Sequence, residues 1–464
     1  MGNILLIDFG STYTKVTAVD LENEILLGTA SAFTTVQTDI NEGLNNAIKA
    51  LKEKIGDVQF EKQFACSSAA GGLRMMASGL VPELTAEAAK MASLGAGAKL
   101  VKTYAFEMTE EDLEEIEEAN PEIFLLVGGT DGGNTECIIH NAELLARCKA
   151  DFPIVYAGNR NAVSQCKKIL ADKKCYFVEN VMPKFGVLNI IPAQEKIREV
   201  FLERIVKAKG LTEASELISG IMMPTPAAIM AAMELLAEGY EGEDGIEEGV
   251  GELFAIDVGG ATTDVYSVAE GTPRGTAVVC KGLPEPYIKR TVEGDIGMRY
   301  SIDGVVEAVG LKRLADTAGL SRQKAGAILE KFKEQKDLIP DTDEMRAVDK
   351  ALACMAVETA AIRHAGTIEE VYTPTGLTFV QEGKDLTEVK NLVVTGGSLI
   401  HSENIEEIAA YARASERMPG SLRPKDAKLF VDKKYILAAM GIMSEHYPEQ
   451  ALRIMKKELI QYGN

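Results

Sequence analysis

Strand-like apolar runs alternate with amphipathic stretches along most of the chain, which predicts an α/β protein built on a central sheet. The first run, Ile4-Leu5-Leu6-Ile7, stops at Asp8. It is too short for a signal peptide and has no basic flank, so no targeting segment is expected there. The longest apolar stretch, Gly220 to Ala237, contains Pro224, Pro226 and Glu234 and reads as a buried helix, not a membrane span. Glu107 to Glu118 predicts a helix capped by Thr109, with Asp112 at the capping-box position. Glu238 to Glu252, rich in Gly and acid and without a positive charge, reads as a linker. It divides the chain into lobes over 1–237 and 253–432, with C-terminal helices over 433–464, the first from Lys433 to His446.

The two sides of that linker repeat one another. Leu6-Ile7-Asp8-Phe9-Gly10-Ser11-Thr12 matches Ala255-Ile256-Asp257-Val258-Gly259-Gly260-Ala261-Thr262: an apolar strand, then Asp, an apolar residue, Gly, small residues and Thr. Later in each half an apolar run ends in paired glycines, Phe124 to Thr130 and Leu392 to Ser398, and these are expected to be equivalent. Two similar α/β lobes facing one cleft is the economical arrangement.

Composition narrows the chemistry. The 464 residues carry a net charge of −21, which opposes binding to nucleic acid or an anionic membrane. Much of the excess is local, with eight acids in Glu107–Glu118 and seven in Glu238–Glu252, so it does not describe a ligand cleft. Seven scattered cysteines without a C-x-x-C pair imply free thiols and a cytoplasmic location, and four isolated histidines show no metal-ligand spacing.

A strand running into Asp-apolar-Gly-small-small makes a tight turn whose N–H groups approach phosphate oxygens closely, while the Asp holds Mg²⁺ or its waters. One copy is first of all a turn signal. Two copies at matching places describe a phosphate clamp with carboxylates from both lobes. Gly396-Gly397-Ser398 reads either as a slot for adenosine or as a helix entry with Ser398 as N-cap.

Asp8-Phe9-Gly10-Ser11-Thr12-Tyr13-Thr14-Lys15, Pro224-Thr225-Pro226-Ala227-Ala228, Asp257 to Asp264, Val394 to Ser398 and Tyr435 to Gly441 resemble, in order, five segments of the actin, sugar-kinase and heat-shock-chaperone ATPases. These are phosphate 1, connect 1, phosphate 2, adenosine and connect 2. The resemblance implies two duplicated ribonuclease H-like lobes around ATP or ADP with Mg²⁺. Asp8, Asp257 and Asp264 would then be catalytic, with Asp8 and Asp257 on the metal. Gly10, Ser11, Thr12, Gly259, Gly260, Ala261 and Thr262 would cradle the phosphates. Lys15 matches the phosphate-contacting lysine of actin, and Gly396, Gly397 and Ser398 would face adenosine. Met223 stands where the chaperones carry the glutamate that polarises water, which implies slow hydrolysis.

Cys66 to Arg74, Gly128 to Asn134, Ala157-Gly158-Asn159, Lys289 to Asp295 and Gly383 to Thr387 further resemble the MutL (GlmL) family, the accessory proteins of adenosylcobalamin-dependent glutamate (methylaspartate) mutase. That family is unrelated to the DNA-repair protein of the same name. It implies an ATP-driven, chaperone-like reactivase with the mutase as partner, the cobalamin belonging to the partner because this chain has no D-x-H-x-x-G sequence. Rival readings are a reactivase of an ornithine or lysine aminomutase, a small-molecule kinase with Asp131 as base, a hydantoinase- or oxoprolinase-like subunit, and an actin-like scaffold. Asp131 itself reads equally as a ligand contact or a loop brace, Cys66–Arg74 as helix packing, and Lys289–Asp295 as a solvated face.

Overall fold

The computed structural model of the protein describes residues 2–10, 13–33, 40–68, 73–208, 221–242, 245–275, 278–374 and 376–462. The chain opens with an antiparallel meander of β1 (Asn3–Phe9), β2 (Tyr13–Asp20) and β3 (Ile25–Phe33). Helix α1 (Ile40–Ile55) then leads to β4 (Lys62–Ser67), parallel to β1. A separate sheet follows, made of β5 (Arg74–Gly79), β6 (Lys99–Ala105), β7 (Ile123–Leu126), β8 (Ile154–Tyr156) and β9 (Cys175–Phe177). It is entirely parallel, in the order β6-β5-β7-β8-β9. Helix α2 (Glu110–Ala119) precedes β7 and α3 (Glu136–Arg147) follows it. The capping box of Thr109 and Asp112 starts α2 as its sequence requires. β10 (Ile221–Pro224) returns to the first sheet beside β4, completing the order β10-β4-β1-β2-β3, and runs directly into α4 (Thr225–Glu238).

The remainder repeats that first sheet. After the hairpin β11 (Gly239–Gly242) and β12 (Gly245–Glu248) come β13 (Leu253–Val258), β14 (Thr263–Val268), β15 (Val278–Lys281) and β16 (Ile288–Glu293). Helix α5 (Asp343–His364) is followed by β17 (Thr367–Thr373), β18 (Gly376–Glu382), β19 (Asn391–Thr395), β20 (Lys428–Val431), helix α6 (Leu437–Ser444) and β21 (Ile460–Tyr462). The sheet order is β16-β14-β13-β19-β20-β21, with β13, β14 and β16 antiparallel and β19 and β20 parallel to β13. Strand for strand, β13, β14, β16, β19 and β20 stand where β1, β2, β3, β4 and β10 stand. The protein is α/β, with two duplicated ribonuclease H-like sheets.

This topology corrects one expected equivalence. Gly128-Gly129 follows β7 of the separate parallel sheet, whereas Gly396-Gly397 follows β19. The counterpart of β19 is β4, so the segment equivalent to Thr395-Gly396 is Cys66-Ser67-Ser68. Two other boundaries also differ from expectation. The apolar stretch from Gly220 divides into β10 and α4 at Pro224, and the helix expected from Lys433 starts at Leu437, because Tyr435 has φ +55° and interrupts the helical path.

Two compact units result, Met1–Ala232 with Gly282–Pro284 and Ile436–Ile454, and Met233–Lys281 with Glu285–Tyr435 and Met455–Asn464. In the first, Leu5, Ile7, Phe9, Val16, Ala65, Met75 and Leu125 share one buried cluster. In the second, Phe254, Ile256, Val265, Leu352, Met355 and Val394 share another. Small aliphatic and Met side chains fill both, as the absence of Trp requires. Helix α6 packs on β1 and β4. A Cβ on its Gly441 would lie 1.7 Å from the Ala228 carbonyl oxygen of α4, so only glycine permits that approach. Among the described residues no helix is long and apolar enough to cross a membrane.

Candidate functional site

The same turn closes both repeats. The N–H of Gly10 donates to the Tyr13 carbonyl at 3.1 Å, and that of Gly259 to the Thr262 carbonyl at 2.9 Å, each two and five residues beyond an aspartate. A Cβ on Gly10 would sit 2.5 Å from the Tyr13 oxygen, and one on Gly259 2.9 Å from the Thr262 oxygen. The glycines are thus a steric requirement of the turn.

In the first unit Asp8 is the penultimate residue of β1, buried, opposite Lys15 of β2. The Lys15 ammonium lies 3.8 Å from Asp8 Oδ2. Asp8 Oδ1 accepts the Thr225 hydroxyl at 2.6 Å, and the Cys66 thiol lies 3.5 Å from the same oxygen. Thr225 comes from the first turn of α4 and Cys66 from β4, so three elements converge on one carboxylate. Burial, reinforced by the Asp8 charge, pushes the Cys66 thiol well above its ordinary range, so it is a neutral donor and not a nucleophile. Ser11 and Thr12 lie outside the described residues, as do residues 69–72 of the Cys66–Arg74 segment.

In the second unit Asp257 of β13 pairs in register with Asp264 of β14. Lys289–Asp295, expected as a solvated face, is for the most part the edge strand β16. Its Arg290 is buried and donates from Nε at 2.9 Å and Nη2 at 2.6 Å to Oδ1 of Asp264. Burial lowers the guanidinium pKa, and the charges of and hydrogen bonds to Asp264 and Tyr266 together outweigh it, so it stands above the usual arginine value. The carbonyl of Gly259 accepts from the Met298 N–H, that of Gly260 from Arg299 and Tyr300, and that of Ala261 from the Ser301 hydroxyl. Since N–H and C=O of a trans peptide point in opposite directions, the N–H groups of Gly260, Ala261 and Thr262 face away from the 298–301 loop.

Gly396 has φ +103°, and a Cβ there would lie 2.4 Å from the Val258 carbonyl and 2.9 Å from Asp257 Oδ1. Gly397 approaches the Tyr435 hydroxyl, 3.0 Å from its Cβ position. Burial, then the charges of Asp257 and Asp432, raise the Tyr435 hydroxyl pKa and keep it a neutral phenol. The Ser398 side chain lies outside what is described. A cavity of about 430 Å³ begins at Gly397 and is lined by Arg299, Lys336, Lys350, His401 and Asn404. Arg299 joins it to the turn, because its N–H holds Gly260 while its guanidinium lies over Phe332 and pairs with Asp349 at 2.7 Å.

Asp131 belongs elsewhere. Its Oδ1 accepts the Arg160 N–H and the Asn180 amide, both at 3.0 Å, bracing the loops beyond β7, β8 and β9. Asp131 is thus a loop brace, one of the two readings its sequence allowed. Asp8, Gly10 and Lys15 come together in the first unit, and Asp257, Asp264, Gly259 to Thr262, Gly396 and Gly397 in the second. Thr225, Cys66, Arg290, Arg299 and Tyr435 also reach these places without having been singled out as site residues. Four of them, Cys66, Thr225, Arg290 and Tyr435, lie within the segments that carry the family resemblance, and only Arg299 lies outside them.

Repeated ribonuclease H-like sheets, each with an aspartate next to the end of its first strand and a glycine turn after it, define a duplicated actin-like protein. The chain belongs to the MutL family. The family described as "MutL protein" matches residues 4–459. "Protein MutL" of Clostridium tetanomorphum is 47% identical over 465 residues, covering 99% of this chain and 100% of that one. Solved structures with which the chain aligns include one described as nucleotide-free acetone carboxylase, at TM-score 0.38 and 14% identity over 95% of this chain and 70% of that one. Another is the "Activator of the 2-Hydroxyisocaproyl-CoA Dehydratase from Clostridium difficile with bound ADPNP", at TM-score 0.35 and 8% identity over 100% of both.

Proposed function

We propose that this protein is an ATP-driven, chaperone-like reactivating factor for an adenosylcobalamin-dependent mutase, with glutamate (methylaspartate) mutase as its partner. The observation that carries the nucleotide part is the second unit's turn joined to a cavity. An N–H edge suited to phosphates adjoins, through Arg299 and Gly397, a cavity of about 430 Å³, within the range of small-ligand sites. Adenosine takes the cavity and the turn at Gly259–Thr262 takes phosphates, while the turn at Gly10 has the same build in the first unit. Asp8 in the first unit and Asp257 in the second are each the carboxylate that would hold Mg²⁺ or its waters. Among the described residues no three His, Cys, Asp or Glu converge. One or two carboxylates with phosphate and water completing the shell is the arrangement Mg²⁺ favours. When bound, the ion neutralises charge on the phosphates. Met223, buried at the end of β10, supplies no base, so turnover is slow and the nucleotide acts as a switch that alters affinity for the mutase.

Calorimetric titration with ADP tests the site. The full chain binds ADP, and Gly397→Val, which fills the space beside Tyr435, abolishes the heat; an unaffected variant removes the cavity from the reading. Rescue of cobalamin-inactivated mutase tests the role. Asp8→Ala and Asp257→Ala each lose ATP-dependent rescue, and retention of rescue by both variants refutes it.

A further inference from the structure

Two segments remain without a task, Lys289–Asp295 and Gly383–Thr387, and the structure brings them together. Lys384, fully buried, donates to the carbonyls of Pro286 at 2.8 Å and Tyr287 at 2.6 Å, immediately before β16. Lys289 pairs with Glu285 at 2.9 Å and donates to the His364 carbonyl at 3.0 Å. The buried His364 ring bridges Thr291 at 2.9 Å and Ser267 at 2.8 Å. Arg363 holds Glu293 at 2.8 Å and Asp295 at 2.7 Å. An edge strand of six residues is therefore fixed along its length by polar contacts. The side chain it delivers to the site is Arg290.

What Arg290 does there follows from the repeat. Asp8 faces Lys15 across β1 and β2, whereas Asp257 faces Asp264 across β13 and β14. Like charges directly opposite repel, and an incoming polyphosphate would meet both. Arg290 places its two donors on Oδ1 of Asp264. The net charge of the three groups is then −1, against zero for Asp8 with Lys15.

We propose that Arg290 is a positioning residue which, on a strand held by the Lys384 and His364 contacts, neutralises Asp264 and so lowers the negative charge that this corner presents to the phosphates and their cation. This rests on the nucleotide reading above. It makes the corner's charge, and hence its demand for Mg²⁺, a property set by the edge strand.

The test compares ADP binding by the full-length wild type, Arg290→Gln, Asp264→Asn and the double variant, with and without Mg²⁺. Without Mg²⁺, Arg290→Gln weakens ADP binding by about tenfold and Asp264→Asn strengthens it by a similar factor, as expected for one charge added or removed nearby. The double variant lies closer to wild type than Arg290→Gln does, and Mg²⁺ shrinks the spread. A purely structural role moves both single variants in the same direction. That result overturns the proposal, as does a double variant no better than Arg290→Gln. Should Arg290→Gln not fold, the sign of the Asp264→Asn effect alone decides. If the wild type binds no ADP at all, the nucleotide reading itself fails.

Discussion

Lys384 shows at the scale of one residue what a buried cation does to stability. Burial, with the Lys289 charge beside it, lowers its pKa from 10.5 to about 7. A cation whose folded pKa lies below its unfolded value is deprotonated in the folded state while the unfolded state still holds its proton. Stability therefore rises with pH from about 7 to the ordinary lysine value, with a limiting slope of about 1.4 kcal/mol per pH unit for one proton. Lys384→Met removes that proton from both states. Denaturant titrations at several pH values between neutrality and pH 10 should show wild type gaining on the variant as pH rises, and parallel curves would sink the assignment. The same residue shows what sequence conceals. Asp8, Asp257 and the turn glycines are legible because each aspartate stands two residues before a glycine whose N–H closes a local turn, Gly10 on Tyr13 and Gly259 on Thr262. Thr225 on Asp8, Lys384 on Tyr287 and Arg290 on Asp264 are contacts made by strands and helices distant in the chain, and no local pattern announces them.

Elements obey the same distinction between local and long-range causes. The meander-and-turn repeat was readable because an antiparallel hairpin carries its own signal, an apolar strand, Asp and Gly. The paired glycines mislead because a strand followed by Gly-Gly looks alike in any parallel sheet, and membership is decided by pairing: β7 lies between β5 and β8, and β19 between β13 and β20. Gly441 illustrates a constraint set by packing alone. With its Cβ position 1.7 Å from the Ala228 oxygen, even alanine forces α6 away from α4. Gly441→Ala should destabilise the first unit by about 1–3 kcal/mol, the usual cost of overpacking, measured as a lower urea midpoint. An unchanged midpoint would mean the two helices are not in contact there.

At the scale of the whole molecule the units are compact but not continuous in sequence. Residues Ile436–Ile454 belong with Met1–Ala232, and the chain then ends in the second unit. Leu437, Met440, Ile442 and Met443 of α6 are buried, and α6 covers β1 and β4, the strands that carry Asp8 and Cys66. Cutting at the acidic stretch between residues 238 and 252, where composition alone divides the chain, would strip the first unit of that helix. It would also leave a strongly apolar helix exposed on the other fragment. Fragment 1–237 made alone should therefore bind a hydrophobic dye and unfold without a cooperative transition. Supplying residues 436–454 as a peptide should restore cooperativity, since burying four large apolar side chains is worth roughly 1.5–3 kcal/mol each, comparable in sum with the stability of a small domain. The peptide also returns Gly441 to Ala228 and closes the sheet face behind Asp8. If fragment 1–237 unfolds cooperatively at the full chain's midpoint without the peptide, the first unit does not depend on α6, and the division of the chain into these two discontinuous units is wrong.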